Sequence, residues 1–269
     1  KARGFTVANF VADPLALAKS DANVVVELIG GEEGPARALV EAALANGKHV
    51  VTANKALLAK HGRALAAAAE RNKLQLKFEA AVAGGIPIVK TLRESLVAYD
   101  IQAVKGILNG TCNYILTEME QTGRSFADVL AEAQKLGYAE ADPTTDVGGF
   151  DAAHKITILA ALAFGCAPTY DAAKVEGIDQ ISLLDIKLAK ELGYRIKLIA
   201  SAARSPAGVS VTVNPTLVPL SHPLAQANGA LNALFIEGTR IGRIFIQGPG
   251  AGAGPTAAAV AADIADVMA

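Results

Sequence analysis

Apolar runs of strand length alternate with helical stripes through the first third of the chain. VVVELI at 24–29 is such a run, stopped by Gly30-Gly31. Pro35 suits a first helical position, and ARALVEAALANG carries a helical stripe to Gly47. KHVVT at 48–52 reads as a second buried strand. Asn54 can cap a helix from about Lys55 to Glu70, and QLKFEAAV at 75–82 reads as a third strand. Strand and helix alternating at this spacing predict a parallel sheet with covered faces and right-handed crossovers.

The pattern then changes. Gly84-Gly85 and Pro87 break the third strand before a helix at 88–96, and 101–108 is strand-like. Helices follow at 111–122 and 125–136, the second opened by Ser125 and closed by Gly137. A polar loop leads into a helix at 150–164, and 182–192 is another. Segments 194–203 and 209–218 alternate like an antiparallel pair joined by SPAG. ALFIEG and RIGRIFIQG read as a hairpin around Gly238-Thr239, while 224–232 follows neither period. After GPGAGAGPT the pattern predicts a last helix at 257–268.

Composition narrows the class. The chain has 269 residues, 52% hydrophobic and 19% charged, with a net charge of −1. Without a basic run it offers nucleic acid no footprint, and its charge gives no reason for membrane binding. Cys112 and Cys166 stand far apart, which argues against a disulfide framework or thiolate zinc. With no apolar run of spanning length, the reading is cytoplasmic. The chain lacks an initial Met, and its first convincing strand follows a helix-like stretch, so a preceding segment is expected.

Candidate chemistry concentrates in GYAEADPTTDVGGFDAAHK at 137–155, where Glu140, Asp142, Asp146 and Asp151 precede Lys155. Asp151 and Lys155 share a helix face at i, i+4, which by spacing alone reads as a surface pair of a few tenths of a kcal/mol. The apolar run ITILAALAFG after Lys155 argues for a more buried place. A charged lysine beside a carboxylate suits protonating or polarising a carbonyl oxygen. The acids lack the pattern of a calcium loop and fit a polar, amine-bearing substrate better than a divalent metal. Lys55 follows a parallel strand end, where open α/β sheets bind ligands, and a cation at a helix start is unfavourable without a partner. The glycines of 248–256 could admit an anion or a ring, a weak signal because no βαβ unit follows. Glu79 before AAVAGGIP reads by itself as a strand–turn–helix. None of His49, His61, His154 and His222 has a partner at ligand or triad spacing.

Six strings together resemble homoserine dehydrogenase, in that family's order and over nearly the whole chain: VVVELIGG, GKHVVTANKALLAKHG, FEAAVAGGIPIVKTL, GILNGTCNYIL, GYAEADPTTDVGGFDAAHK and GPGAGAGPTA. The resemblance implies NAD- or NADP-linked interconversion of L-homoserine and L-aspartate 4-semialdehyde, toward threonine, methionine and isoleucine. It implies Lys155 as proton donor, Asp151 as the carboxylate that orients it and meets substrate, and Glu140 and Asp146 as substrate-binding acids. Lys55 would touch cofactor and substrate, and the cofactor would lie near Gly31, Gly137, Glu140 and Gly252. Glu79 with the carbonyls of Val82, Gly84 and Ile86 would form a sodium site. The family's glycine-rich fingerprint and the regulatory ACT domain of many bacterial members are not visible in these residues.

The expected fold class is therefore α/β, a Rossmann-type parallel sheet with its N-terminal part missing, plus a second α+β catalytic and dimerisation domain. The expected division is a partial dinucleotide-binding domain at 1–82, with 252–269 packing back on it, and a substrate and dimerisation domain at 83–246. The partners expected are a small-molecule substrate and a second copy in a homodimer. Another semialdehyde or ketone reductase, or a non-catalytic oligomerising fragment, are the alternatives.

Overall fold

The computed structural model describes residues 10–166 and 170–269. The start of the first expected domain, residues 1–9, lies outside them. After a short helix α1 (Leu15–Ala18), a three-stranded parallel sheet forms from β1 (Val24–Glu27), β2 (His49–Thr52) and β3 (Leu76–Lys77), in that spatial order. Helices α2 (Pro35–Ala45) and α3 (Lys55–Arg71) connect the strands. Leu39, Val40, Leu44, Val50, Leu57 and Leu65 fill their core. As the spacing predicts, Asn54 caps α3: its Oδ1 accepts from the Leu57 N–H at 3.0 Å.

β3 is shorter than the expected 75–82. The chain leaves the strand at Phe78 and turns through a 3-10 segment, Glu79–Ala81. That turn directs the buried Glu79 carboxylate at the start of α4 (Ile88–Lys90), where it accepts from the Val89 and Lys90 N–H groups at 2.8 Å each. The helix continues past Lys90 as a π segment, Thr91–Ser95.

A six-stranded sheet makes the second unit, in the order β5-β7-β6-β4-β8-β9. Its strands are β4 (Ile101–Ile107), β5 (Lys174–Val175), β6 (Tyr194–Ser205), β7 (Gly208–Pro219), β8 (Leu231–Gly238) and β9 (Gly242–Pro249). β6 and β7 pair in one register from Tyr194↔Pro219 to Ser205↔Gly208, leaving Pro206-Ala207 as the turn. Around the sheet lie α5 (Gly110–Thr122), α6 (Phe126–Lys135), α7 (Thr144–Val147), α8 (Phe150–Phe164) and α9 (Leu183–Glu191). α8 is apolar nearly all round because it is enclosed, with the main core below it and α3 beside it. Ala152, Ala153, Ile156 and Leu159 are almost fully buried. Truncating Ile156 or Leu159 there would cost about 2–5 kcal/mol.

The last helix, α10 (Ala253–Met268), starts four residues before the expected 257, because Pro255 sits inside the first turn, where its missing N–H is harmless. α10 returns to the first unit. Its buried Asp263 accepts from the Glu79 N–H at 2.7 Å, and Asp266 pairs with Lys90 at 2.7 Å. Among the described residues no helix is long and apolar enough to cross a membrane.

Candidate active site

The site forms where three element ends meet: β2 running into α3, β4 running into α5, and the first turns of α8. Asp151 and Lys155 face one another at i, i+4, with Lys155 Nζ donating to Asp151 Oδ2 at 2.7 Å. The surface-pair reading fails here, since the two residues are 4% and 8% exposed. Lys155 also donates to the Leu108 carbonyl at the end of β4, at 2.8 Å. An ammonium has three N–H donors, so one remains for a ligand.

Lys55 approaches the other oxygen, Nζ to Asp151 Oδ1 at 2.9 Å. The otherwise unfavourable cation at the start of α3 thus has its partner on α8. Burial would push the Asp151 carboxyl up, but the Lys155 and Lys55 ammoniums outweigh it and hold the pKa well below the usual carboxylate range. Asp151 in turn raises Lys55 against its own desolvation. One carboxylate thus keeps a lysine charged at its edge and holds two of them in fixed positions.

Asn109 completes the constellation. Its Oδ1 caps α5 by accepting from the Cys112 N–H at 2.8 Å. Its Nδ2 donates to Asp151 Oδ2 at 2.9 Å and to Asp146 Oδ1 at 2.7 Å. Asp146 is pushed up by burial, and the Asn109 bond only partly offsets this. Sequence reasoning did not single out Asn109 as a site residue. The available signal was its place in GILNGTCNYIL, an N-cap residue between a strand and a helix.

Lys55, Gly137, Glu140, Asp146, Asp151, Lys155 and Gly252 all line one cleft of about 600 Å³. Glu140 is exposed there, whereas Asp142 turns away and bonds Thr144. Thr111 ties down the cleft's Gly137–Tyr138 edge by donating to the Tyr138 carbonyl at 2.6 Å. The Pro249–Gly252 turn and Asn232 line the same cleft. Gly31 does not line this cleft. It stands at φ +86° on the loop after β1, and its carbonyl accepts from Asn54 Nδ2 at 2.7 Å.

The cleft suits a dinucleotide in two respects. Gly252 (φ +119°) and Gly137 (φ +77°) take backbone conformations that favour glycine. The 16-residue helix α10 starts at that turn with no side-chain cap, leaving its first N–H groups available to an anion. The expected sodium ligands lie apart from the lysines. Glu79, Val82, Gly84 and Ile86 are all buried. Among the described residues no backbone hydrogen bond ends on the Val82 or Gly84 carbonyl, and no lysine or arginine pairs with Glu79. Burial pushes the Glu79 carboxyl up. The Ile86 carbonyl, by contrast, already accepts from the Ile88 N–H at 2.7 Å, and both Glu79 oxygens accept from backbone N–H groups, so only the Val82 and Gly84 carbonyls are uncommitted oxygens of the kind a hard cation takes. Among the described residues no cluster of His, Cys, Asp and Glu is arranged for a metal.

The histidines lie in separate places, and both ring nitrogens of His154 are buried without a hydrogen-bond partner among the described residues. His222 Nδ1 accepts from Leu224 N–H, His49 Nδ1 accepts from Gln75 N–H, His61 meets Glu33, and His154 stacks on Tyr170 with ring centroids 4.3 Å apart. Cys112 is buried, its Sγ donates to the Asp146 carbonyl, and burial drives its thiol well above the usual range.

Residues 87–265 match the family model for homoserine dehydrogenase, and residues 1–79 match that for the homoserine dehydrogenase NAD binding domain. The homoserine dehydrogenase of Neisseria gonorrhoeae is 52% identical over 261 residues, covering 97% of this chain and 60% of that protein. The crystal structure of a homoserine dehydrogenase from Thiobacillus denitrificans superposes with a TM-score of 0.93 at 52% identity, covering 96% of this chain and 60% of that one. A hyperthermophilic archaeal homoserine dehydrogenase in complex with NADPH gives a TM-score of 0.84 at 29% identity, covering 99% and 77%. The chain spans about 60% of the length of the curated relative from Neisseria.

Proposed function

The chain belongs to the homoserine dehydrogenase family, and on that premise we propose that it interconverts L-homoserine and L-aspartate 4-semialdehyde with NAD or NADP. The observation that carries this reading is the Lys55–Asp151–Lys155 bridge: two ammoniums held by one buried carboxylate at the floor of the cleft.

When bound, a nicotinamide cofactor would supply the hydride chemistry at the aldehyde or alcohol carbon. The chain's residues manage the oxygen. As the carbonyl oxygen gains charge, the remaining N–H of Lys155 donates to it and then transfers its proton, giving the alcohol. In reverse the alcohol proton returns to Lys155 Nζ. Asp151 stays ionised throughout and fixes the lysine's direction. Lys55 faces substrate and cofactor together, and Glu140 and Asp146 receive the substrate's ammonium. Positioning these groups contributes much of the rate.

The cofactor is assigned to residues 1–82 with 252–269, near Gly31, Gly137, Glu140 and Gly252, and substrate to 83–246. Glu79 with the Val82, Gly84 and Ile86 carbonyls would hold a sodium ion that pins the loop before α4, and no chemical step passes through it. The protein would act in the cytoplasm as a homodimer. The test is turnover of L-homoserine with each nicotinamide cofactor, against other hydroxy and keto substrates, in a protein of the relatives' length carrying these residues. No turnover of homoserine, with the fold intact, would overturn the proposal.

A further inference from the structure

We infer that Glu27 is a positioning residue for the nicotinamide cofactor: with Thr52 and Asn54 it holds the glycine loop after β1 in the shape that meets the cofactor. The inference rests on the dehydrogenase reading above. The end of VVVELIGG inverts the usual burial. Glu27 is 0% exposed, while Leu28 and Ile29 beside it are 60% and 51% exposed. A glutamate is almost never fully buried unless it is paired. Among the described residues the bonds to Glu27 all come from neutral donors. Oε1 accepts from the Ile29 N–H at 2.7 Å and the Gly30 N–H at 3.0 Å, and Oε2 accepts from the Thr52 hydroxyl.

Thr52 is the register partner of Glu27 on β2, so strand pairing itself places the hydroxyl. The same hydroxyl oxygen accepts from the Asn54 N–H at 3.0 Å, and Asn54 Nδ2 closes the circuit on the Gly31 carbonyl at 2.7 Å. The loop is thus held from both sides, by its N–H groups on Glu27 and by its last carbonyl on Asn54. Gly30 and Gly31 both stand at φ +86°. Two such glycines in succession have wide conformational freedom, which these bonds reduce to one shape. The loop leaves the carboxyl end of a parallel strand, where α/β sheets bind ligands. Leu28 lines a groove with Gly252 and the first turn of α10, the other element assigned to the cofactor. A neutral side chain would hold a merely structural turn with less desolvation. A carboxylate makes bonds about twice as strong, which suits a loop that must not move.

The experiment uses wild type, Thr52→Val, Thr52→Ser and Glu27→Gln in a protein of the relatives' length. Calorimetry measures NADPH and NADH binding without substrate, steady-state kinetics give the KM of each reactant, and unfolding midpoints are recorded in parallel. Valine keeps the shape of threonine and deletes both hydroxyl bonds, and serine restores them. Cofactor affinity should fall about tenfold in Thr52→Val and in Glu27→Gln, the value of one hydrogen bond, and return to within about twofold of wild type in Thr52→Ser. The KM for L-homoserine should stay within about twofold throughout, because Lys55 keeps its own anchor on Asp151. Lowered midpoints with wild-type cofactor affinity in Thr52→Val and Glu27→Gln, the signature of a purely structural carboxylate, would overturn the assignment. So would a loss that serine does not restore. If Thr52→Val does not fold, Glu27→Gln decides alone, and failure of both to fold also overturns the assignment, because the carboxylate then serves the fold. These results leave the dehydrogenase reading standing, whereas a wild type that binds neither cofactor overturns both.

Discussion

Asp151→Asn tests the central bridge most severely. At an effective dielectric constant of about 20, each ammonium at 2.7 or 2.9 Å attracts the carboxylate by about 6 kcal/mol. Desolvation of a carboxylate 4% exposed offsets much of this, and the Lys55 share is discounted further because that side chain is 40% exposed. Breaking such a pair leaves an unpaired buried ammonium and costs about 3–5 kcal/mol. Asparagine cannot substitute. Oδ1 accepts from Lys55, and Oδ2 accepts from both Lys155 and Asn109, so either orientation of the amide sets its NH2 against donors. The expected result is an unfolding midpoint lower by roughly 10 °C and a turnover loss of at least a hundredfold. The pH dependence is a further check. A depressed carboxyl contributes stability that is fully present above its ordinary value of 3.8 and is lost as pH falls toward the folded value. The gap between wild type and variant should therefore hold through neutral pH and close only in acid. A variant within about 1 kcal/mol of wild type by denaturant titration would refute the reasoning.

Three further outcomes are expected. Lys155→Ala should lower turnover by about 10²–10⁴-fold while leaving cofactor affinity nearly unchanged, and wild-type-like turnover would remove it as proton donor. Lys197 is 1% exposed and, among the described residues, bonds only neutral groups, Asn113, Ala227 and Asn228; burial first, then Arg195, brings its pKa down from 10.5 to about 8, against a smaller opposing pull from Glu120. Its folded pKa is below its unfolded one, so unfolding takes up a proton and stability should rise by about 3 kcal/mol between pH 8 and 10.5, a rise that Lys197→Met abolishes in denaturant titrations. Sodium chloride replacing choline chloride at equal ionic strength should raise the unfolding midpoint by mass action, and Glu79→Gln should remove that gain if Glu79 ligates the ion.

The parallel unit was legible because its signals are local: a run of β-branched residues, a proline at a helix start, an asparagine cap. β3 was overestimated because Leu76, Phe78, Ala80 and Val82 alternate at the strand period, while Glu79 is drawn away to the N–H groups of Val89 and Lys90, ten and eleven residues on. Within the site, the i, i+4 spacing of Asp151 and Lys155 marked a shared face but could not give its burial, which comes from α3 and the sheet packing on α8. Lys55 stood out by its misfit with the helix dipole, a misfit cured by a residue 96 positions away in the chain. Asn232 gave no signal at all. An asparagine in an apolar strand looks like an outward-facing polar position until the fold turns it inward.

The return of α10 to Glu79 also has a consequence for biosynthesis. The Glu79–Asp263 contact joins residues 184 apart in sequence. At ribosomal rates of about 5–20 residues per second, some 10–40 s pass between the emergence of the two. Through that interval the β1–β3 sheet waits without the helix that packs back on it, whereas the last strand of the six-stranded sheet, β9, emerges only just before α10. Of the two units, the first therefore has its early strands made long before the helix that completes it.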